Sequence, residues 1–232
     1  MANNLRVVIA AAGQGSRMGS KTNKQFMLLN AHPVLAYSLD FFERQDLVDE
    51  IVVVTSDKEL DYCRHEIVEK FHYKKVSAVL AGGKERQDSV WVGLQYLSQD
   101  TDFVAVHDGA RPLLSFDVLQ RLLQEAEEWG AAIPGVANKD TIKMINKDYF
   151  VRQTLDRSMI FAIQTPQVFK FRELVQAYKM AYEEDFYATD DSALFEKYIG
   201  QVKLVEGDYN NIKITTPSDL LIAKSLLSRE IN

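Results

Sequence analysis

Residues 5–19, LRVVIAAAGQGSRMG, decide how the chain is to be read. Leu5–Ala11 is a continuous run apolar at every position but Arg6, the pattern of a strand buried on both faces of a parallel sheet. It ends in a loop of small residues and glycines, Ala11-Ala12-Gly13-Gln14-Gly15-Ser16-Arg17-Met18-Gly19. Glycine lets backbone N–H groups approach an anion, and Arg17 adds a planar fork suited to phosphate. In open α/β sheets ligands sit beyond the carboxyl ends of the strands, where this loop lies. Two familiar uses of such a loop fail on spacing. A dinucleotide fingerprint needs a third glycine where Met18 stands, with Gly19 one residue late, and no Gly-Lys-Ser/Thr follows to make a P-loop.

Working outward, Glu50–Thr55, Val76–Ala81 and Phe103–Val106 read as further strands. Helices are expected from Pro33, from Ser56 to about Phe71, over Ser89–Leu97 and over Ser115–Trp129. Ser56-Asp57-Lys58-Glu59 has the form of a capping box, and Gly130 is the expected stop of the fourth helix. Four β-then-α units imply a mostly parallel sheet with helices on both faces, the α/β class. The rhythm breaks near Pro134. Thr141–Ile145 and Tyr149–Leu155 alternate around Asn146-Lys147-Asp148, which predicts a hairpin arm inserted at 137–160 in a single domain spanning 1–232. Helices over Phe171–Tyr182 and Ser192–Tyr198, a strand at Val202–Glu206 and a capped helix at Thr216-Pro217-Ser218-Asp219 complete the pattern.

Charge and glycine recur at the strand ends. Lys24-Gln25-Phe26 follows the first loop, Gly82-Gly83-Lys84-Glu85-Arg86-Gln87-Asp88-Ser89 ends the third strand, and His107-Asp108-Gly109-Ala110-Arg111-Pro112 ends the fourth. Independent structural turns at all three places are a poor explanation. The net charge of −6 argues against nucleic acid as a partner, so phosphate must be held by a few focused cations and amides. One cysteine, Cys63, allows no intrachain disulfide. No membrane span or secretory leader is legible, so a cytoplasmic location is expected. His65-Glu66-Ile67-Val68-Glu69 lacks the second histidine of a zinc helix, and the acidic residues of 125–128 read as a solvated face.

Together these motifs resemble the cytidylyltransferases of isoprenoid biosynthesis. The match continues through Asp140-Thr141, Thr154-Leu155-Asp156-Arg157, Gln164-Thr165-Pro166-Gln167, Thr189-Asp190 and Asn211-Ile212-Lys213-Ile214-Thr215. The first loop is common to many sugar nucleotidyltransferases; the later motifs are more selective. The resemblance implies a Rossmann-like nucleotidyltransferase fold, CTP and methylerythritol phosphate as substrates, Mg²⁺ as cofactor, and a homodimer with exchanged arms. On that pattern Arg17, Lys24 and Lys213 are the catalytic cations. Ala11, Ala12, Gly13, Gly15, Gly83, Arg86 and Ser89 hold the nucleotide. Asp108, Arg111, Thr141 and Thr189 meet the substrate, with Arg157 and Thr165 supplied by the second subunit, and Asp108 also faces the metal. Ala10 and Asn23 depart from the pattern, each standing where a proline is common. No fused cyclising synthase domain is expected after residue 232. A ribitol 5-phosphate cytidylyltransferase shares most of these motifs and stays open as an alternative, as does a nucleotide-binding protein without catalysis. A dinucleotide-dependent oxidoreductase fails on glycine spacing.

Overall fold

The computed structural model describes residues 4–13 and 23–230. Its main sheet contains β1 (Leu5–Ala10), β4 (Val48–Thr55), β5 (Val76–Ala81), β6 (Phe103–Asp108), β7 (Ala131–Ala137), β10 (Phe161–Ile163), β11 (Gln167–Lys170) and β12 (Lys203–Glu206). The order is β10-β7-β11-β6-β1-β4-β5, with β12 also paired to β7. The β1–β4, β1–β6, β4–β5 and β7–β12 pairs are parallel, whereas β10 and β11 run against their neighbours. Two-residue strands β2 (Leu28–Leu29) and β3 (His32–Pro33) pair with each other, and β8 (Lys143–Ile145) pairs with β9 (Val151–Thr154). The sheet is therefore mostly parallel, as the strand-helix rhythm predicts.

Alternation along β1 divides the core into two layers, because successive side chains of a strand point to opposite faces. Val7 and Ile9 pack with Leu35, Leu39 and Phe42 of α1 (Val34–Glu43) and Leu119 and Leu122 of α4 (Phe116–Trp129). Val8 packs with Val90 and Leu94 of α3 (Arg86–Tyr96), and with Leu174 and Tyr178 of α5 (Phe171–Glu183) and Phe195 of α6 (Asp191–Tyr198). Helices thus cover both faces. Each large apolar side chain taken from water contributes roughly 1.5–3 kcal/mol. A third cluster seats α7 (Pro217–Glu230) through Ala223 against Leu29, Val34 and Leu113.

Two caps follow the sequence. Gly130 stops α4 in the left-handed region at φ 87°, where a Cβ would be strained. Asp219 Oδ2 accepts the backbone N–H groups of Thr215 and Thr216, both at 2.8 Å. The capping box at Ser56 does not form. Ser56 Oγ donates to Glu59 Oε2 at 2.6 Å, as does Asn23 Nδ2 at 3.0 Å. Glu59 is thus engaged by side chains, and the segment starts as a 3₁₀ turn (Asp57–Glu59). It continues as α2 (Leu60–Tyr62) and widens into a π-helical stretch (Cys63–Glu69).

β7, β10 and β11 are absent from the sequence reading. β7 carries Ala131, Ala132, Pro134 and Gly135, residues with little intrinsic preference for a strand. Its sheet position comes from long-range partners: Val168 opposite Ala132, and Leu204 opposite Ile133. Residues 138–160 leave the sheet as the β8–β9 hairpin, whose turn is held by Asn146 Oδ1 accepting from Asp148 N (3.1 Å) and Phe150 N (2.8 Å).

Candidate active site

A cleft of about 1080 Å³ opens at the carboxyl ends of β1, β4, β5 and β6. Ala12, Gly13, Lys24, Gly83, Arg86, Ser89, Asp108 and Lys213 all line it, so these eight sequence candidates converge. Gly15 and Arg17 lie outside the described residues.

The strand ends explain the convergence. β1 delivers Ala12 and Gly13, with the Ala11 N–H bonded to Val54 C=O at 2.7 Å to extend the parallel ladder. The Ala11 side chain points into the core rather than the cleft. Beyond β5, Asp88 Oδ2 accepts the Glu85 N–H at 2.9 Å and fixes the start of α3, which carries Arg86 and Ser89. Gly83 has no room for a side chain, because a Cβ there would run into Asp88. Ser89 Oγ lies in the same corner and donates to Glu85 C=O at 3.1 Å.

Asp108 ends β6 and is the electrostatic centre of the cleft. Arg86 Nε lies 3.0 Å from Oδ1, and Lys213 Nζ lies 2.6 Å from Oδ2. Burial alone would push the Asp108 carboxyl up, but Arg86 and Lys213 hold it well below the carboxylate range. Arg86 also reaches Asp191 Oδ2 at 2.8 Å, and Asp191 accepts from Tyr178 Oη at 2.5 Å. Burial disfavours the Arg86 charge, yet Asp191 and Asp108 outweigh it and raise its pKa. Asp191 is missed by the sequence reading; it follows the Thr189-Asp190 motif, and only the fold brings it to Arg86. Lys213 is carried in by a segment anchored next to β6, where the Ile214 N–H donates to Ala110 C=O at 2.8 Å.

Behind Asp108 lies a buried relay. The Asp108 N–H donates to Thr165 Oγ1 at 3.0 Å, and Thr165 Oγ1 is 3.1 Å from His107 Nδ1. His107 Nε2 is 3.2 Å from Arg111 C=O, an acceptor only, so Nε2 carries the proton and Nδ1 accepts from Thr165. Burial pushes the His107 pKa down to about 3, and the ring is neutral at pH 7. Two of the sequence candidates are engaged within their own chain here. Thr165, expected to act in a second subunit's site, is buried beneath its own chain's Asp108. Arg111, expected to meet substrate, donates to Asn211 C=O (2.7 Å) and Ile163 C=O (3.3 Å) and does not line the cleft. Their hydroxyl and guanidinium groups are taken by polar atoms that burial would otherwise leave unpaired.

Thr141, Arg157 and Thr189 are exposed and lie outside the cleft of their own chain. Arg157 donates to Lys139 C=O at 3.1 Å near the base of the arm. Among the described residues no three His, Cys, Asp or Glu side chains converge as a metal cage. Each Asp108 oxygen has one cationic partner and keeps lone-pair capacity. That suits a hard cation that takes one carboxylate and completes its sphere with phosphate oxygens and water.

Residues 5–229 match the family model of IspD, 2-C-methyl-D-erythritol 4-phosphate cytidylyltransferase. The chain is 45% identical to the 2-C-methyl-D-erythritol 4-phosphate cytidylyltransferase of Caldanaerobacter subterraneus subsp. tengcongensis, over 97% of this chain and 100% of that one. It is 44% identical to the protein of that name from Clostridium acetobutylicum, over 96% of each. Among solved structures, the 4-diphosphocytidyl-2C-methyl-D-erythritol synthase of Anaerococcus prevotii superposes with a TM-score of 0.86 at 32% identity, covering 98% of this chain and 97% of that one. The Thermus thermophilus cytidylyltransferase gives 0.79 at 30% identity, covering 96% and 98%. From the ends of its strands to its overall topology, this chain belongs to the 2-C-methyl-D-erythritol 4-phosphate cytidylyltransferase family.

Proposed function

We propose that this chain transfers CMP from CTP to 2-C-methyl-D-erythritol 4-phosphate in isoprenoid biosynthesis, releasing pyrophosphate, and that the cleft beyond β1, β5 and β6 is where it does so. The observation that carries the assignment to this cleft is the convergence of Lys24, Arg86, Asp108 and Lys213 in it, within a chain of this family.

The attacking group is a phosphate monoester oxygen, ionised at neutral pH because its second pKa is about 6. It forms a bond to the α-phosphorus of CTP as the bond to the β-phosphate oxygen breaks, and pyrophosphate leaves with the electron pair. No proton has to be removed from the nucleophile, so no general base is required, and the neutral, buried His107 is free to be structural. The obstacle is the approach of two anions. Lys24 faces the nucleotide phosphates, and the backbone amides after β1 complete their binding. Gly83 and Ser89 bound the cytidine side. Lys213 binds the substrate phosphate, and Asp108 holds Lys213 and Arg86 in place so that neither has to reorganise during the transfer. Each such donor is worth roughly 3 kcal/mol in the transition state. Mg²⁺ belongs to the same proposal, with Asp108 as its carboxylate; when bound it neutralises phosphate charge.

The functional unit is a homodimer. The arm exposes Met144, Ile145, Tyr149, Phe150 and Val151, an apolar set with little to pack on in its own chain. Arg157 and Thr141, outside their own cleft, complete the second copy's site when arms exchange, and Thr189 borders the substrate. No described helix is long and apolar enough to cross a membrane, and the cytoplasm is the proposed location.

Pyrophosphate release with CTP and Mg²⁺ tests the reading, with methylerythritol 4-phosphate and ribitol 5-phosphate offered in parallel. Strong preference for the first is expected. Preference for the second would keep the cleft and change the substrate, and no release with either would reduce the protein to nucleotide binding.

A further inference from the structure

Lys24 sits in a 3₁₀ turn (Lys24–Phe26) that is fixed on both sides by the segment leaving β4. Before it, Asn23 Nδ2 donates to Glu59 Oε2 at 3.0 Å, and Ser56 Oγ donates to the same oxygen at 2.6 Å. After it, Phe26 meets Tyr62 edge to face, with ring centroids 5.1 Å apart. The Phe26 N–H closes the turn on Asn23 C=O at 2.9 Å. The aromatic pair is 36 residues apart in sequence, as are Asn23 and Glu59, so two independent contacts tie one turn to one segment.

We infer that Glu59 is a positioning residue for Lys24: its carboxylate clasps Asn23 and sets where the turn delivers the ammonium into the cleft. Asn23 has φ −59° and ψ 139°, inside the narrow φ range that a proline ring would impose. Asparagine cannot impose that angle by itself, and here a hydrogen bond to a carboxylate does so from outside. The Asn23 side chain is buried, and its Oδ1 has no hydrogen-bond partner. Of the two ends of the amide, the Nδ2 is the one that is bonded. Glu59 accepts from both donors with one oxygen, and the Ser56 hydroxyl is spent on that carboxylate rather than on a backbone N–H of the turn, so the capping box at Ser56 does not form. The role rests on the reading of Lys24 as a phosphate-binding cation, and the experiment separates the two.

Steady-state kinetics with CTP as the varied substrate, and Tm alongside, provide the test. Lys24→Ala is expected to lose about 100-fold in kcat/KM; wild-type kinetics in that variant would overturn the reading of Lys24 and the clasp together. Glu59→Ala is expected to lose about tenfold in kcat/KM with Tm falling by only a few degrees for the unpaired Asn23 amide, less than the roughly 100-fold that a 1 Å misplacement can cost. Glu59→Gln keeps an oxygen that can accept from both donors and is expected to stay within about twofold of wild type. Asn23→Pro fixes φ without the carboxylate, so adding it to Glu59→Ala is expected to recover most of the loss. Wild-type kinetics in Glu59→Ala, or a loss that Asn23→Pro leaves uncorrected, would overturn the clasp while leaving Lys24 in its role.

Discussion

In the cleft, charge is matched at short range: Asp108 lies between Arg86 and Lys213, and Arg86 between Asp108 and Asp191. On the arm the situation is reversed. Phe150 is 71% exposed, Tyr149 84% and Met159 78%, with their chain bonded mainly to itself through the Asn146 turn. One region pairs its central charges, Arg86, Asp108, Asp191 and Lys213, within a single chain; the other holds apolar surface that water solvates poorly. In the proposed dimer, one chain supplies most of the chemistry of phosphate approach, and the arm's apolar face meets the second copy.

The largest expected effect tests how strictly the cleft depends on its buried support. His107 has a folded pKa near 3 against an ordinary 6.5, because burial disfavours the charged ring. Between pH 6.5 and 3 the unfolded chain binds the proton and the folded chain does not. Stability is therefore full above about 6.5 and falls as the pH drops toward 3, by roughly 5 kcal/mol for this one group. Denaturant unfolding at pH 7 and pH 4 is expected to show roughly 3 kcal/mol of it, since about 2.5 pH units of that window are crossed, and His107→Gln to remove most of that difference. An equal loss in the variant would mean that other groups govern acid sensitivity.

Lys213→Ala comes next. It removes a cation 2.6 Å from Asp108, and turnover is expected to drop about 100-fold with the fold retained. Near-normal turnover, measured by pyrophosphate release, would separate Lys213 from the reaction. On the arm, Arg157→Ala is expected to lower turnover about tenfold, a contribution of roughly 1.4 kcal/mol, without changing unfolding of the monomer unit. Smallest of all, Phe150→Ser is expected to alter that unfolding by less than about 0.5 kcal/mol, as for other exposed positions. The same change should weaken association in sedimentation, and a large loss of intrachain stability would show that the arm tip packs on its own chain.

The sequence conveys the two regions unequally well. Leu5–Ala11, Glu50–Thr55, Val76–Ala81 and Phe103–Val106 are dense apolar runs, and three of their ends carry glycine and charge, so the sheet's parallel half and seven of the eight cleft residues can be read locally, while Lys213 is reached through the family resemblance. The hairpin at 137–160 is legible because Asn146-Lys147-Asp148 interrupts an alternating pattern. β7 is not legible, since Pro134 and Gly135 owe their strand geometry to neighbours distant in the chain. The same holds for roles that depend on long-range bonds. Thr165 serves Asp108 from 57 residues away, Arg111 serves Asn211 from 100 away, and Glu59 serves Asn23 instead of its own helix. Residue type and spacing say that a group can bond, and only the fold says to what.

In the proposed dimer a cleft built in one chain is completed by the arm of another, and subunit mixing probes that arrangement. Lys213→Ala and Arg157→Ala chains, each slow alone, would be co-refolded into mixed dimers and assayed for pyrophosphate release. If Arg157 acts across the dimer, one site in each mixed dimer holds both native groups, and turnover rises well above that of either parent. Activity no higher than the weighted average of the two parents would contradict the claim.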